Sequence, residues 1–201
     1  MLKWKKIGKI FRPNNQKFWL RSHASVPIAE NLEKDYFRIY FSSRDKFNRS
    51  YTGYVIINIK KPEKILEISN KPILRPGKLG EFDDSGAMAS WITKSEDNQR
   101  FLYYIGWNLG VTVPFRNSIG LAVSKNFGTF KKLFNGPIIE RSLNEPHFSA
   151  SNCVLIDKNI WKMWYLSCTG WQLHKKTPRH SYHIKYAESD DGINWIRNGH
   201  V

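Results

Sequence analysis

Three side chains able to move or hold a proton recur at one interval: His23, Asp84 and Glu145 stand 61 residues apart, then 61 again. Each lies just before a short, strand-like run. If the interval is structural, an imidazole and two carboxyl groups meet around a shared cavity. Two carboxyls flanking a glycosidic bond are the minimum for its hydrolysis: one protonates the leaving oxygen, the other acts on water or on the anomeric carbon. Burial and like charge would raise one pKa, which suits a general acid. The bland alternative stands beside this one. Asp83-Asp84-Ser85-Gly86 is ordinary turn chemistry, and Glu145, in Asn144-Glu145-Pro146-His147, is equally a solvated loop residue.

Neighbouring residues could hold a substrate. Trp107 (Tyr104-Ile-Gly-Trp-Asn108) and Trp171 (Cys168-Thr-Gly-Trp-Gln172) follow a glycine and precede polar, loop-like residues. Rings so placed can stack on a sugar face, or simply pack into a core. Arg44 and Asp45 occupy the matching place near the start of the chain; the guanidinium can bind hydroxyls, a carboxylate or phosphate, or form a structural ion pair. Asp83 and His147 complete the candidate binding set. No Gly-x-Ser-x-Gly, no phosphate-binding Gly-x-x-x-x-Gly-Lys-Ser/Thr and no His-Glu-x-x-His occurs, so no cofactor or metal is expected. The turn Ser189-Asp-Asp-Gly-Ile-Asn-Trp195 is one residue short of a sialidase Asp-box, Ser-x-Asp-x-Gly-x-Thr-Trp, and is not counted as one.

The elements that must position these groups also repeat. Ser118-Ile-Gly-Leu-Ala-Val-Ser124 matches His183-Ile-Lys-Tyr-Ala-Glu-Ser189, with a weaker copy at Thr52–Ile57. Turns follow at Asn126-Phe-Gly128 and Asp190-Asp-Gly192. Phe37–Phe41, Phe101–Ile105 and Trp161–Tyr165 are short, aromatic and β-prone. Before them, Ala24–Ala29, Ala87–Ile92 and Asn152–Ile156 read as inner, closely packed strands, with turn residues such as Glu96-Asp97-Asn98 and Asp157-Lys158-Asn159 between. Helical periodicity is absent. A four-strand unit of about 60 residues, used repeatedly, is the grammar of a β-propeller blade. The expected fold is therefore all-β: an incomplete propeller of about three four-stranded antiparallel blades, over residues 22–70, 82–140 and 147–200. A β-sandwich is the competing arrangement. An incomplete ring leaves apolar blade faces through which copies can associate.

Composition narrows the rest. Of 201 residues 41% are hydrophobic and 14% aromatic, enough for a core. No apolar run reaches membrane-spanning length, and the basic N-terminus lacks the pattern of a secretory signal, so a cytoplasmic protein is expected. Cys153 and Cys168 sit in apolar strand patterns and read as buried, reduced thiols. The formal charge of +15 fits an anionic polymer or membrane face, but lysines spread over turns fit a solvated surface better, and nucleic acid is a minor alternative.

Arg38-Ile-Tyr-Phe-Ser-Ser-Arg-Asp45, Phe82-Asp-Asp-Ser-Gly86, Leu102-Tyr-Tyr-Ile-Gly-Trp107, Glu145-Pro146, Trp161-Lys-Met-Trp-Tyr165 and Tyr186-Ala-Glu-Ser-Asp-Asp-Gly-Ile-Asn-Trp195 together resemble a bacterial family of glycosidase-like five-bladed propellers. That family is related to the arabinanase, β-xylosidase, invertase and levansucrase superfamily. The resemblance runs from about Trp4 onward. It implies a carbohydrate or glycoconjugate partner, often in surface-polysaccharide metabolism, and a chain cut short of five blades. By position, it implies that Asp84 is the pKa-tuning aspartate and Glu145 the acid. The superfamily's aspartate base of the first blade has no counterpart: His23 stands there. The implied activity is glycoside hydrolysis. A propeller that binds or scaffolds carbohydrate without chemistry is the alternative.

Overall fold

The computed structural model describes residues 3–125 and 129–199, so the turn expected at Asn126, Phe127 and Gly128 lies outside the described residues. Among the described residues every regular element is a strand. A first antiparallel meander contains β1 (Ser22–Glu33), β2 (Tyr36–Arg44), β3 (Ser50–Asn58) and β4 (Lys61–Ile68). A second contains β5 (Gly86–Lys94), β6 (Arg100–Leu109), β7 (Phe115–Ser124) and the two-residue β8 (Lys131–Lys132). The third has β9 (Ser149–Asp157), β10 (Ile160–His174) and β11 (Thr177–Ser189), and its fourth-strand position holds only a bridge between Glu188 and Ile196. The four-stranded expectation is thus met in full by the first unit, while the outer strand shrinks in the other two.

Local chemistry explains the hairpins. Lys158-Asn159 and Lys175-Lys176 both carry two consecutive left-handed residues, the pattern of a tight two-residue turn matched to strand twist. β6 (Arg-Phe-Leu-Tyr-Tyr-Ile-Gly-Trp-Asn-Leu) is buried over its first seven residues. A strand apolar on both faces must lie between two packed layers, and it does. One face joins Tyr103 to Val154, Trp161, Met163 and Tyr165 of the third unit; the other joins Leu102 and Tyr104 to Ile28, Tyr40 and Leu74 of the first.

The first strands line up beside one another. The Thr52 hydroxyl donates to Ala87 O (2.9 Å) and accepts from Ala89 N (2.8 Å), locking the first unit to β5. Asn152 N donates to Ser90 Oγ (2.8 Å), and the Trp91 indole and Thr93 hydroxyl both donate to Val154 O at 2.8 Å, locking β5 to β9. Arg100 Nε reaches Glu30 at 2.6 Å across the first junction. Sheets packed face to face with their first strands side by side form a propeller, not a two-layer sandwich. Contrary to the expectation of a closely packed inner strand, only Ile28 of β1 is buried. Bulges on both sides of Ser25 turn its side chains outward. Cys168 is buried and Cys153 only half-buried; both are free thiols whose pKa burial raises.

Candidate functional site

Ser22, Gly86 and Ser149 begin β1, β5 and β9 and pair with Arg44, Trp107 and Ser167. All three strands start at the same end of the fold, so the loops before them share one rim. The register that relates the units, however, steps by 64 from Ser22 to Gly86 and by 63 from Gly86 to Ser149. The interval of 61 linking His23, Asp84 and Glu145 is therefore not a register of equivalent positions. His23 lies one residue inside β1, whereas Asp84 lies two residues before β5. The three share an end, not a position.

The rim between the first and second units brings Arg44, Trp107 and Asp84 into one neighbourhood. The Arg44 guanidinium stands over the Trp107 ring, 5.8 Å from its centroid. The pyrrole edge of the indole abuts Gly86, where a Cβ would come within 2.1 Å of its Nε1. Next to Trp107, Asn108 donates from Nδ2 to Asp84 Oδ1 at 2.8 Å; Ser85 Oγ donates to the same oxygen and Gly80 N to Oδ2. Burial pushes the Asp84 carboxyl up, but the hydrogen bonds from Asn108, Gly80 and Ser85 outweigh it and leave the pKa below the usual range. A carboxyl held in this direction can accept from sugar hydroxyls or face developing positive charge. His23 is exposed, in a left-handed conformation (φ 65°), with Nδ1 2.9 Å from Ser22 Oγ.

The other candidates are held by different partners. Asp83 is 1% exposed, and Lys132 Nζ lies 2.5 Å from its Oδ2. The Tyr104 hydroxyl faces Asp83 without closing a hydrogen bond; burial and then the Asp83 charge push that phenol far up. Glu145 has a similar setting. It is 6% exposed, accepts from Tyr165 Oη (2.8 Å) and Ser167 Oγ (2.7 Å), and has Arg197 and Lys185 at 3.7 and 3.8 Å. Asp45 closes the β2–β3 turn, accepting from Phe47 N, Arg49 N and the Arg49 guanidinium. Burial raises the Asp45 pKa, and the Arg49 contacts bring it below the ordinary value. Trp171 packs at 5.0 Å from His180 and 5.4 Å from Phe115 of the second unit, with Phe148 completing the cluster; His147 lies half-buried by Gly170.

Sequence reasoning missed Asn108, although it adjoins Trp107, and missed Lys132, Tyr165 and Ser167, whose roles depend on strand pairing. Among the described residues no group of three His, Cys, Asp or Glu side chains converges as a metal site would. A cavity of about 770 Å³ lies between the first two units, lined by Ile73, Arg75, Phe130, Lys132 and, from the loop that also holds Asp84, Glu81. We place the candidate site at the rim, because there the Arg44–Trp107 pair adjoins the Asn108–Asp84 hydrogen bond, and His23 begins the strand that pairs with Arg44.

No family model matches the chain. Uncharacterized protein Rv1502 of Mycobacterium tuberculosis is 42% identical over 198 residues, which cover 98% of this chain and 65% of the relative; the chain thus spans about two thirds of that relative's length. Among solved structures, one described as a glycoside hydrolase superposes over the whole chain and 62% of its own, with a TM-score of 0.73 and 14% identity. A glycosyl hydrolase from Bacteroides ovatus is covered to 58% by 97% of this chain, with a TM-score of 0.67 and 18% identity. Similarity at that identity establishes architecture alone: the chain is all-β and has the fold of glycosidase-like propellers.

Proposed function

We propose that this chain is part of a carbohydrate-active propeller that handles a glycosidic bond at the rim where β1, β5 and β9 begin. The observation that carries the reading is the three-fold hydrogen-bonded Asp84 beside the Arg44–Trp107 pair. A fixed carboxylate and a guanidinium hold sugar hydroxyls, and an indole offers a stacking plane. The names of the structural neighbours, glycoside hydrolases, support the class. In this reading His23 and His147 are the proton-handling groups nearest the rim, and Glu145 is the acid that the family resemblance implies. The protein acts in the cytoplasm on glycoconjugates, in surface-polysaccharide metabolism, and the further blades that the resemblance implies complete the site.

A specific observation favours a second reading, carbohydrate binding without turnover. Glu145 is sealed under Tyr165 and Ser167 like the structural Asp83. One experiment tests both. A panel of aryl glycosides and oligosaccharides is offered to this chain and to its longer relative, with Glu145→Gln and Asp84→Asn as variants. Enzymatic processing predicts turnover that Glu145→Gln lowers by about a hundredfold or more without loss of fold. Binding alone predicts calorimetric affinity with no turnover, abolished by Asp84→Asn. Neither turnover nor binding across the panel defeats the carbohydrate reading.

A further inference from the structure

The end of the first unit that bears His23 and Arg44 has a second property. No acidic residue occurs before Glu30, yet seven lysines and arginines lie between Lys3 and Arg21. Lys17 and Arg21 are engaged by Ser69 O, Asn70 and Asn15. Lys3, Lys5, Lys6, Lys9 and Arg12 form no ion pair among the described residues, and they alternate with Trp4 and Ile7, 96% and 65% exposed, in a segment without regular structure.

The segment leads into a shallow hollow of about 520 Å³ whose lining includes Asn15, Phe18, Arg21, Lys46 and Phe47. Phe47 is 65% exposed with Lys46 Nζ 4.8 Å and Arg49 5.5 Å from its ring; Phe18 is 58% exposed with Arg75 at 5.8 Å. The one acid there, Asp45, is buried and taken up by Arg49. Bare apolar tips ringed by cations, with no accessible anion, are costly in water and suit a partner that offers negative charge over an apolar layer.

We propose that this basic, aromatic-tipped end docks on an anionic lipid bilayer. The lysines meet the headgroup phosphates, and Trp4, Ile7 and Phe47 enter the boundary between headgroups and acyl chains. A nucleic acid would satisfy the lysines and stack on the rings but gives Ile7 and Ile10 nothing to bury against. Charge steers the approach and the apolar tips fix the depth. The consequence for the rim, which rests on the carbohydrate reading, is that a glycan carried on a lipid comes within reach of Asp84 and Arg44.

The test is co-sedimentation of the 201-residue chain with vesicles of phosphatidylcholine, with and without phosphatidylglycerol. The chain pellets with the anionic vesicles and not with the neutral ones. Trp4→Ser, Ile7→Ser and Phe47→Ser combined lower the bound fraction by about tenfold or more with charge unchanged. Circular dichroism confirms the fold, and affinity for a soluble glycan is retained. Pelleting unaffected by the triple variant, or binding to a single-stranded oligonucleotide with no vesicle association, overturns the proposal. Vesicle failure with glycan binding intact removes docking and leaves the carbohydrate reading standing; the reverse result removes only the latter.

Discussion

Asp83 and Asp84 are adjacent carboxylates with opposite surroundings, and each supports a separate prediction. Asp83 is sealed in the interior with Lys132 as its counter-charge. Lys132→Met leaves that charge buried and unpaired, so the variant should lose about 3–5 kcal/mol of stability in urea unfolding. Adding Asp83→Asn should restore most of it, which separates lost pairing from lost packing. Asp191 shows the same logic at the surface. Its oxygens accept from Ile193 N, Asn194 N, Asn194 Nδ2 and Ser189 Oγ. Burial raises its pKa, but those bonds outweigh it and hold the group at about 2, against an ordinary 3.8. The folded state's pKa is the lower one, so the stabilisation is complete above the unfolded value and disappears as pH falls from there towards 2. Asp191 is exposed, and solvent screening reduces the amount to about 1 kcal/mol. Acid titrations of the parent and Asp191→Asn chains should differ above that window and converge below it. The sequence showed that an aspartate pair sat before β5, but not which member faced inward, because that depends on the turn's backbone. The even spacing of His23, Asp84 and Glu145 was legible too, yet it measured loop lengths and bulges together, and so misstated the register.

The longest element departs furthest from the repeat. β10 and β11 remain paired from Gly170–Ser181 out to His174–Thr177, past the end of β9, whose last partner is Ser167. The projecting arm has no acidic residue, is anchored at its base by Trp171 and His180 against Phe115 and Phe148, and exposes Leu173 near its tip. Nothing in Gln172-Leu-His-Lys-Lys-Thr-Pro-Arg179 alternates strongly enough to announce strands, whereas the aromatic second strands, buried on alternating or both faces, were plain from composition. The arm's tip also runs against its own preference. Lys175 and Lys176 hold φ of 48° and 68°, a region that asparagine and glycine occupy at lower cost. Replacing the pair by Asn-Gly should stabilise the chain by about 0.5–1 kcal/mol, seen as a rise in thermal midpoint. Unchanged stability would mean that the arm frays before the sheet melts. The Ser189–Trp195 turn was set aside in sequence for lacking one residue, yet Ser189 Oγ accepts from Gly192 N, Tyr103 Oη donates to Gly192 O, and Trp195 packs on Tyr103. The turn thus fastens the third unit to the second.

At the scale of the whole molecule the two outermost sheet faces differ. The outer face of the first unit is closed: Phe11, Trp19 and Leu20 pack on Phe41, Val55 and Ile57. In the third unit Trp161, Met163 and Tyr165 point inward, so Lys162 and Trp164 point away, opposite Leu155 and Tyr186. Trp164 remains 39% exposed and packs only sideways, 5.3 Å from Tyr186; Ile184 and Leu155 are exposed beside it. A sheet face of this composition is normally covered, and in a propeller the next blade covers it. Relatives half as long again as this chain have residues to supply one. The chain as it stands should use a second copy instead. Sedimentation velocity over a concentration series should therefore show reversible association, and Trp164→Lys with Ile184→Lys should shift it towards monomer while far-ultraviolet circular dichroism stays unchanged. If the parent chain sediments as a monomer throughout, the face is tolerated in water, and the missing-neighbour account of this unit fails even though the fold itself stands.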